Sequence, residues 1–180
     1  MQEKADVLIG LSFGRRKATP GNSNKRLAAV IAAIQEKMKS VGHAPLPMIL
    51  QKEVDDAYRQ HGDYWITESG SFSIYRNEKD KDGYLDSYEV LRQAWIIMKK
   101  EGWEKAVIVA HPDHWLRCAA IAKWFGMEVV SNSALRVQLS TVGYDPQSVQ
   151  FWTRKRWLFK IWTLAGWIKF WLSRKREDRQ

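Results

Sequence analysis

Short apolar runs of strand length alternate with amphipathic stretches of helical period along this chain, and that alternation constrains its fold more than any other feature. Strands that are apolar on both faces must be covered by helices on both sides, which is the economy of a parallel sheet. The series opens at Asp6 to Ile9 and continues with a helix from about Lys25, whose Leu27, Val30, Ile31, Ile34 and Met38 share one stripe. Gly42 and Pro45 end that helix, and Pro47 to Leu50 is the second apolar run. From Gln60 to Asp82 the chain is polar and without period, so residues 61–82 read as an irregular insertion. Asp86 and Glu89 then form a capping box ahead of the stripe Val90, Leu91, Ala94, Ile97 and Met98, which Gly102 terminates. Val107, Ile108 and Val109 make Ala106 to Ala110 the clearest strand. Asp113 is the expected cap of the next helix, Gly126 its stop, and Met127 to Val130 the fourth strand.

The pattern predicts a three-layer, Rossmann-like α/β domain over residues 1–146. Its sheet is parallel, with helices on both faces, and an amphipathic Trp/Arg-rich helix follows in 147–180. At 180 residues there is room for one such core and an appendage. The net charge of +9 belongs mostly to that appendage, since Arg154 to Gln180 carries nine basic residues against Glu177 and Asp178. The single cysteine, Cys118, excludes an internal disulfide. Met1 to Ala5 is polar and lacks the look of a signal peptide, which predicts a cytoplasmic protein.

Ligands of open parallel sheets bind outside the carboxyl ends of the strands. Two junctions there carry candidate chemistry. The first is Gly10-Leu11-Ser12-Phe13-Gly14, where Gly10, Ser12 and Gly14 could bring backbone amides against an anion; the same glycines also suit an ordinary turn. The second is His111-Pro112-Asp113-His114-Trp115-Leu116-Arg117. His114 and Arg117 lie three apart on the first turn of a helix, beside amides that favour anions. A division of labour follows: Arg117 holds an anionic group, His111 or His114 exchanges protons, and Glu89 or Glu53 orients a hydroxyl or amine. Glu89 also serves as the capping-box acid, Glu53 as a helix start, and Cys118 as a small packed residue within its helix.

These residues resemble the YdcF/SanA/ElyC-like proteins over roughly Asp6 to Val130. Arg26-Leu27 resembles that family's Arg-Leu helix start, Ser87-Tyr88-Glu89 its Thr-x-Glu-Asn helix start with Ser for Thr, and His114-Trp115-Leu116-Arg117 its His-x-x-Arg. Val90 replaces the usual Asn, and Gln51-Lys52-Glu53 replaces a Ser-Gly-Gly after the second strand. The resemblance implies a Rossmann-like fold, a site that includes Arg26, Ser87 and Arg117, and a small anionic or nucleotide-like ligand. S-adenosylmethionine is the cofactor it brings, and a cell-envelope role the context. It implies no settled reaction.

A second class of function comes from Glu78 to Glu89, which fits a calcium-binding EF-hand loop. Glu78, Asp80, Asp82, Tyr84 and Asp86 stand at ligand positions, Gly83 at the sixth and Glu89 at the twelfth. Glu78 stands where Asp is usual, and an acidic loop leading into a capped helix gives the same letters. A third class comes from the tail. Trp157, Leu158, Ile161, Leu164, Ala165, Ile168, Trp171 and Leu172 form one broad apolar face, with Arg156, Lys160, Thr163 and Gly166 opposite and Phe159, Trp162 and Trp167 among them. Trp157 to Leu172 is too short and too often interrupted by lysine to span a bilayer. It predicts either a peripheral contact with the inner face of a membrane through residues 154–176, or docking on the domain or a second subunit as a homo-oligomer. Nucleic acid is the weaker partner, because the charge is confined to one helix and no known module accompanies it.

Overall fold

The computed structural model describes residues 5–17, 19–60, 70–75, 85–131 and 133–177, with the backbone alone described at 165–166 and 169–177. In chain order it contains β1 (Val7–Gly10), α1 (Asn22–Ser40), β2 (Met48–Gln51), α2 (Lys52–Arg59), β3 (Ser71–Ile74), α3 (Ser87–Glu101), β4 (Lys105–Val109), α4 (Pro112–Trp124), β5 (Glu128–Val130), α5 (Ser133–Ser140), a single 3-10 turn at Phe151–Thr153 and α6 (Arg156–Glu177). The five strands are all parallel in the order β3-β2-β1-β4-β5. This is a Rossmann-like α/β sheet.

Alternate side chains of each strand face opposite layers. Leu8, Met48 and Leu50 pack with Leu27 and Ile31 of α1, Val54 of α2 and Leu135 of α5. Val7, Ile9, Ile49 and Ile108 pack with Val90 and Leu91 of α3 and Ile121 of α4. All of these are buried, and at about 25 cal/mol per Å2 of apolar surface the two cores supply the main drive to fold. The helix boundaries obey local rules. The Asp86 carboxylate accepts the Glu89 amide at 3.0 Å, and Gly102 closes α3 in the left-handed conformation at φ 73°.

Several elements depart from expectation. A fifth strand, β3, lies within 61–82: Phe72 pairs with Ile49 and Ile74 with Gln51 at the sheet edge. An edge strand has one neighbour and is only partly buried, so Ser-Phe-Ser-Ile needs little apolar content. The Ser73 hydroxyl donates to the buried Asp55 of α2, which fixes this edge. The rest of that insertion, 61–69 and 76–82, falls outside the described residues. The first helix begins at Asn22, three residues before Lys25. The cap of α4 is His111, not Asp113. Its ring Nδ1 accepts the Asp113 amide at 3.3 Å with Pro112 at the first helical position, which places Asp113 inside the first turn.

Candidate functional site

In the order β3-β2-β1-β4-β5 the chain turns outward in opposite directions from β1 and β4, and the crevice beyond their carboxyl ends is the topological switch point. The loop after β1 and the start of α4 meet there, where Phe13 stacks on His111 with ring centroids 3.8 Å apart. The two junctions picked out from the sequence are therefore adjacent.

The first junction uses its amides internally. Ser12 N–H donates to Gln51 Oε1 at 2.9 Å, Phe13 N–H to Asn24 Oδ1 at 2.8 Å and Arg15 N–H to Ser148 Oγ at 3.2 Å. The glycines make room for protein. A Cβ on Gly10 would lie 2.8 Å from Leu50 Cδ2 and 3.1 Å from Ile31 Cδ1, so its absence lets α1 and β2 close on β1. Gly14 has φ +74°, and a Cβ there would lie 2.6 Å from Thr153 Oγ1 and 2.8 Å from Ser148 Oγ. The segment after α5 fills that hollow.

The same segment caps α1. Gly21 leaves the helix without a side-chain cap of its own, and the Asp145 carboxylate accepts the Asn22 amide at 3.0 Å from the far end of the domain. Arg16 clamps it with Nε at 2.9 Å and Nη2 at 2.8 Å, one on each oxygen. That fork holds the Asp145 carboxyl below the usual carboxylate range. An anion thus stands at the amino end of the first crossover helix, and the protein supplies it itself. Tyr144 and Phe159 close over Phe13 at centroid distances of 5.3 and 4.8 Å, so the two rings and His111 form one aromatic lid over the switch point.

The second junction keeps a polar cluster. Ser87, at the first position of α3, lies 2.8 Å from His114 Nε2 and accepts from Arg117 Nη2 at 3.2 Å. Arg117 can only donate, so it occupies one lone pair of the Ser87 oxygen, and the direction of the Ser87–His114 bond is set by which His114 nitrogen carries the proton. Burial keeps His114 neutral and lowers its pKa far below the ordinary imidazole value, with the Arg117 and His111 charges acting the same way. Burial likewise lowers His111 to about 4, against the opposing pull of Asp113. Ser12 Oγ, His111 Nε2 and His114 Nδ1 are buried without a hydrogen-bond partner, so polar capacity at these strand ends exceeds what the described side chains satisfy. Arg117 is half-buried and makes no ion pair with a carboxylate among the described residues. Cys118 behind it is buried, and burial pushes its thiol up to about 12, which removes it as a nucleophile.

The remaining candidates are more dispersed. Asp113 accepts from Tyr144 Oη at 2.7 Å and from Arg156 Nε and Nη2 at 3.0 Å each, so its carboxylate tethers the start of α6. Arg26 is exposed on the second turn of α1, and Glu53 is half-buried on the first turn of α2. Glu89 gives its carboxylate to Arg92 at 2.8 Å and Gln93 at 2.9 Å on its own helix. Of the calcium-loop positions, Glu78, Asp80, Asp82 and Tyr84 fall outside the described residues, while Asp86 serves as the α3 cap. Sequence reasoning missed Gln51, Asn24 and Asp145. A polar residue ending the apolar run Met48 to Leu50 was the only local signal for Gln51, and Asp145 finds its partners more than a hundred residues away.

Fold and site together define a parallel α/β protein whose switch point is part filled by its own chain and flanked by an arginine that no carboxylate of the described residues neutralises. No protein-family model, curated protein or solved structure matches the chain.

Proposed function

We propose that the protein binds a small anionic metabolite on the α3–α4 side of the switch point, with Arg117 receiving the anion and Ser87 and His114 facing it. The observation that carries this reading is a contrast in charge. Arg16 and Arg156 each close on an aspartate, Asp145 and Asp113, whereas Arg117 is half-buried beside the start of α3, and its hydrogen-bond partner among the described residues is the neutral Ser87 hydroxyl. A guanidinium so placed matches carboxylate or phosphate oxygens. The family resemblance adds a nucleotide-like ligand or S-adenosylmethionine as the first candidates, and the cell envelope as their context.

Thermal melting of the full chain with millimolar pyrophosphate, ADP or S-adenosylmethionine tests it. A ligand held only by the folded state at a hundred times its Kd adds about 2.7 kcal/mol, which raises Tm by roughly 5–10 °C in a domain of this size. Arg117→Gln should remove the shift. No shift with any of the three, or one that survives Arg117→Gln, overturns the reading. A saturable rise with calcium that Glu89→Gln abolishes would instead assign binding to the loop at 78–89.

A further inference from the structure

We infer that α6 is a membrane-surface helix whose outward face docks on an anionic lipid headgroup layer. The helix is tied to the domain by its mixed ridge. Phe159 is buried against Phe13, Trp167 packs on the α3–α4 core, and Arg156 pairs with Asp113. Docking by that ridge turns the broad apolar face outward. Trp157 is 59%, Ile161 66%, Leu164 66% and Ile168 54% exposed, at spacings of four, three and four that set them on one stripe. An amphipathic helix on a soluble surface does the reverse, so this stripe is an unpartnered apolar face.

Charge selects the occupant. From Arg154 to Arg176 the sequence holds eight basic residues and no acidic one, with cations at both ends and Lys160 and Lys169 between. A second copy of the chain would set the same cations against each other, which costs free energy that the apolar contact must overcome. Anionic headgroups meet both needs, since they neutralise the cations while tryptophan and aliphatic side chains enter the acyl boundary. Among the described residues no helix is long and apolar enough to cross a membrane, so the mode is peripheral.

The test is flotation of the full chain with phosphatidylcholine vesicles, with and without phosphatidylglycerol, at low salt. Binding should need the anionic lipid and weaken as salt screens it. Ile161→Glu/Leu164→Glu should abolish flotation while leaving the melting curve unchanged, because both side chains point to solvent. Arg174→Gln/Lys175→Gln/Arg176→Gln should weaken it roughly a hundredfold, at about 1 kcal/mol per basic residue. The inference is overturned if the chain does not float with anionic vesicles. It is equally overturned if sedimentation shows a dimer that the Glu pair dissolves, or if the chain binds a single-stranded oligonucleotide and leaves the vesicles.

Discussion

Two arginines at the same edge of the sheet meet opposite fates. Arg16 follows β1 and is forked onto Asp145, which also caps α1, so that corner carries its own anion. Arg117 follows β4 and, among the described residues, hydrogen-bonds the Ser87 hydroxyl and no carboxylate, in a cluster whose histidine ring nitrogens His111 Nε2 and His114 Nδ1 find no partner there. A switch point has positions on both sides where a helix start can receive negative charge. Here the chain has closed one with a residue of its own C-terminal segment, while at the other no carboxylate of the described residues meets Arg117. The difference teaches that topology locates an anion site, while the side chains around it decide whether the site is structural or open.

The comparison breaks most visibly at Asp145. Asp145→Ala orphans the Asn22 and Gln147 amides and frees Arg16, and the two amides alone should cost roughly 4 kcal/mol, or about 10 °C in Tm by calorimetry. A loss below about 1 kcal/mol would mean that water replaces the carboxylate and that the corner is not closed by it.

A second effect of similar size depends on pH. His111 is stacked on Phe13 and held neutral down to about 4, against an ordinary value of 6.5, so the unfolded chain takes up the proton first. Stability is therefore lost as pH falls through this window, by about 3 kcal/mol from this group, and is unaffected by it above pH 6.5. His114 adds to the loss in the same direction. Urea unfolding of His111→Asn, which keeps a capping acceptor but cannot titrate, should show a shallower dependence between pH 6.5 and 4. An unchanged slope would move the acid lability from His111 to His114 and the carboxylates.

The sheet could be read from the sequence because strands buried on both faces must be apolar runs, as Val7 to Ile9 and Ala106 to Val109 are. So could Ser87, His114 and Arg117, since each belongs to a helix start with a local signature. What escaped was non-local. β3 is half-buried at an edge and carries too little apolar content to stand out. Asp145, Ser148 and Thr153 are buried by fitting a hollow around Gly14 and the end of α1, and no period in their own stretch announces that fit. The tail helix was recognised as amphipathic, but its docked ridge and its free stripe are distinguished only by where Phe159 lands.

Gly14 sharpens the closed half of the comparison. At φ +74° a Cβ is strained, and it would strike Thr153 and Ser148, so Gly14→Ala should cost about 2 kcal/mol or more in denaturant unfolding. Measured in a Thr153→Ala/Ser148→Ala background, which itself loses the Arg15 and Gln150 amide bonds to Ser148, the cost of Gly14→Ala should shrink but not vanish, because the hydroxyls leave while the left-handed backbone stays. A cost that vanished would show that collision alone, and not conformation, demands glycine there.

The smallest effect on stability is expected at Arg117, and it is the most informative. Among the described residues its hydrogen bond is to Ser87, at 3.2 Å, and such a bond contributes no more than about 1 kcal/mol, so Arg117→Gln should leave the urea midpoint nearly where it was. Asp145→Ala, on the closed side, should move it far. With pyrophosphate present the order should reverse for ligand response: Asp145→Ala, if folded, keeps the Arg117 corner and its stabilisation by the anion, whereas Arg117→Gln loses it. Equal destabilisation by the two variants would make Arg117 a structural member of the Ser87–His114 network. The protein's own chain would then have satisfied both corners, and the ligand would have to be sought away from the switch point.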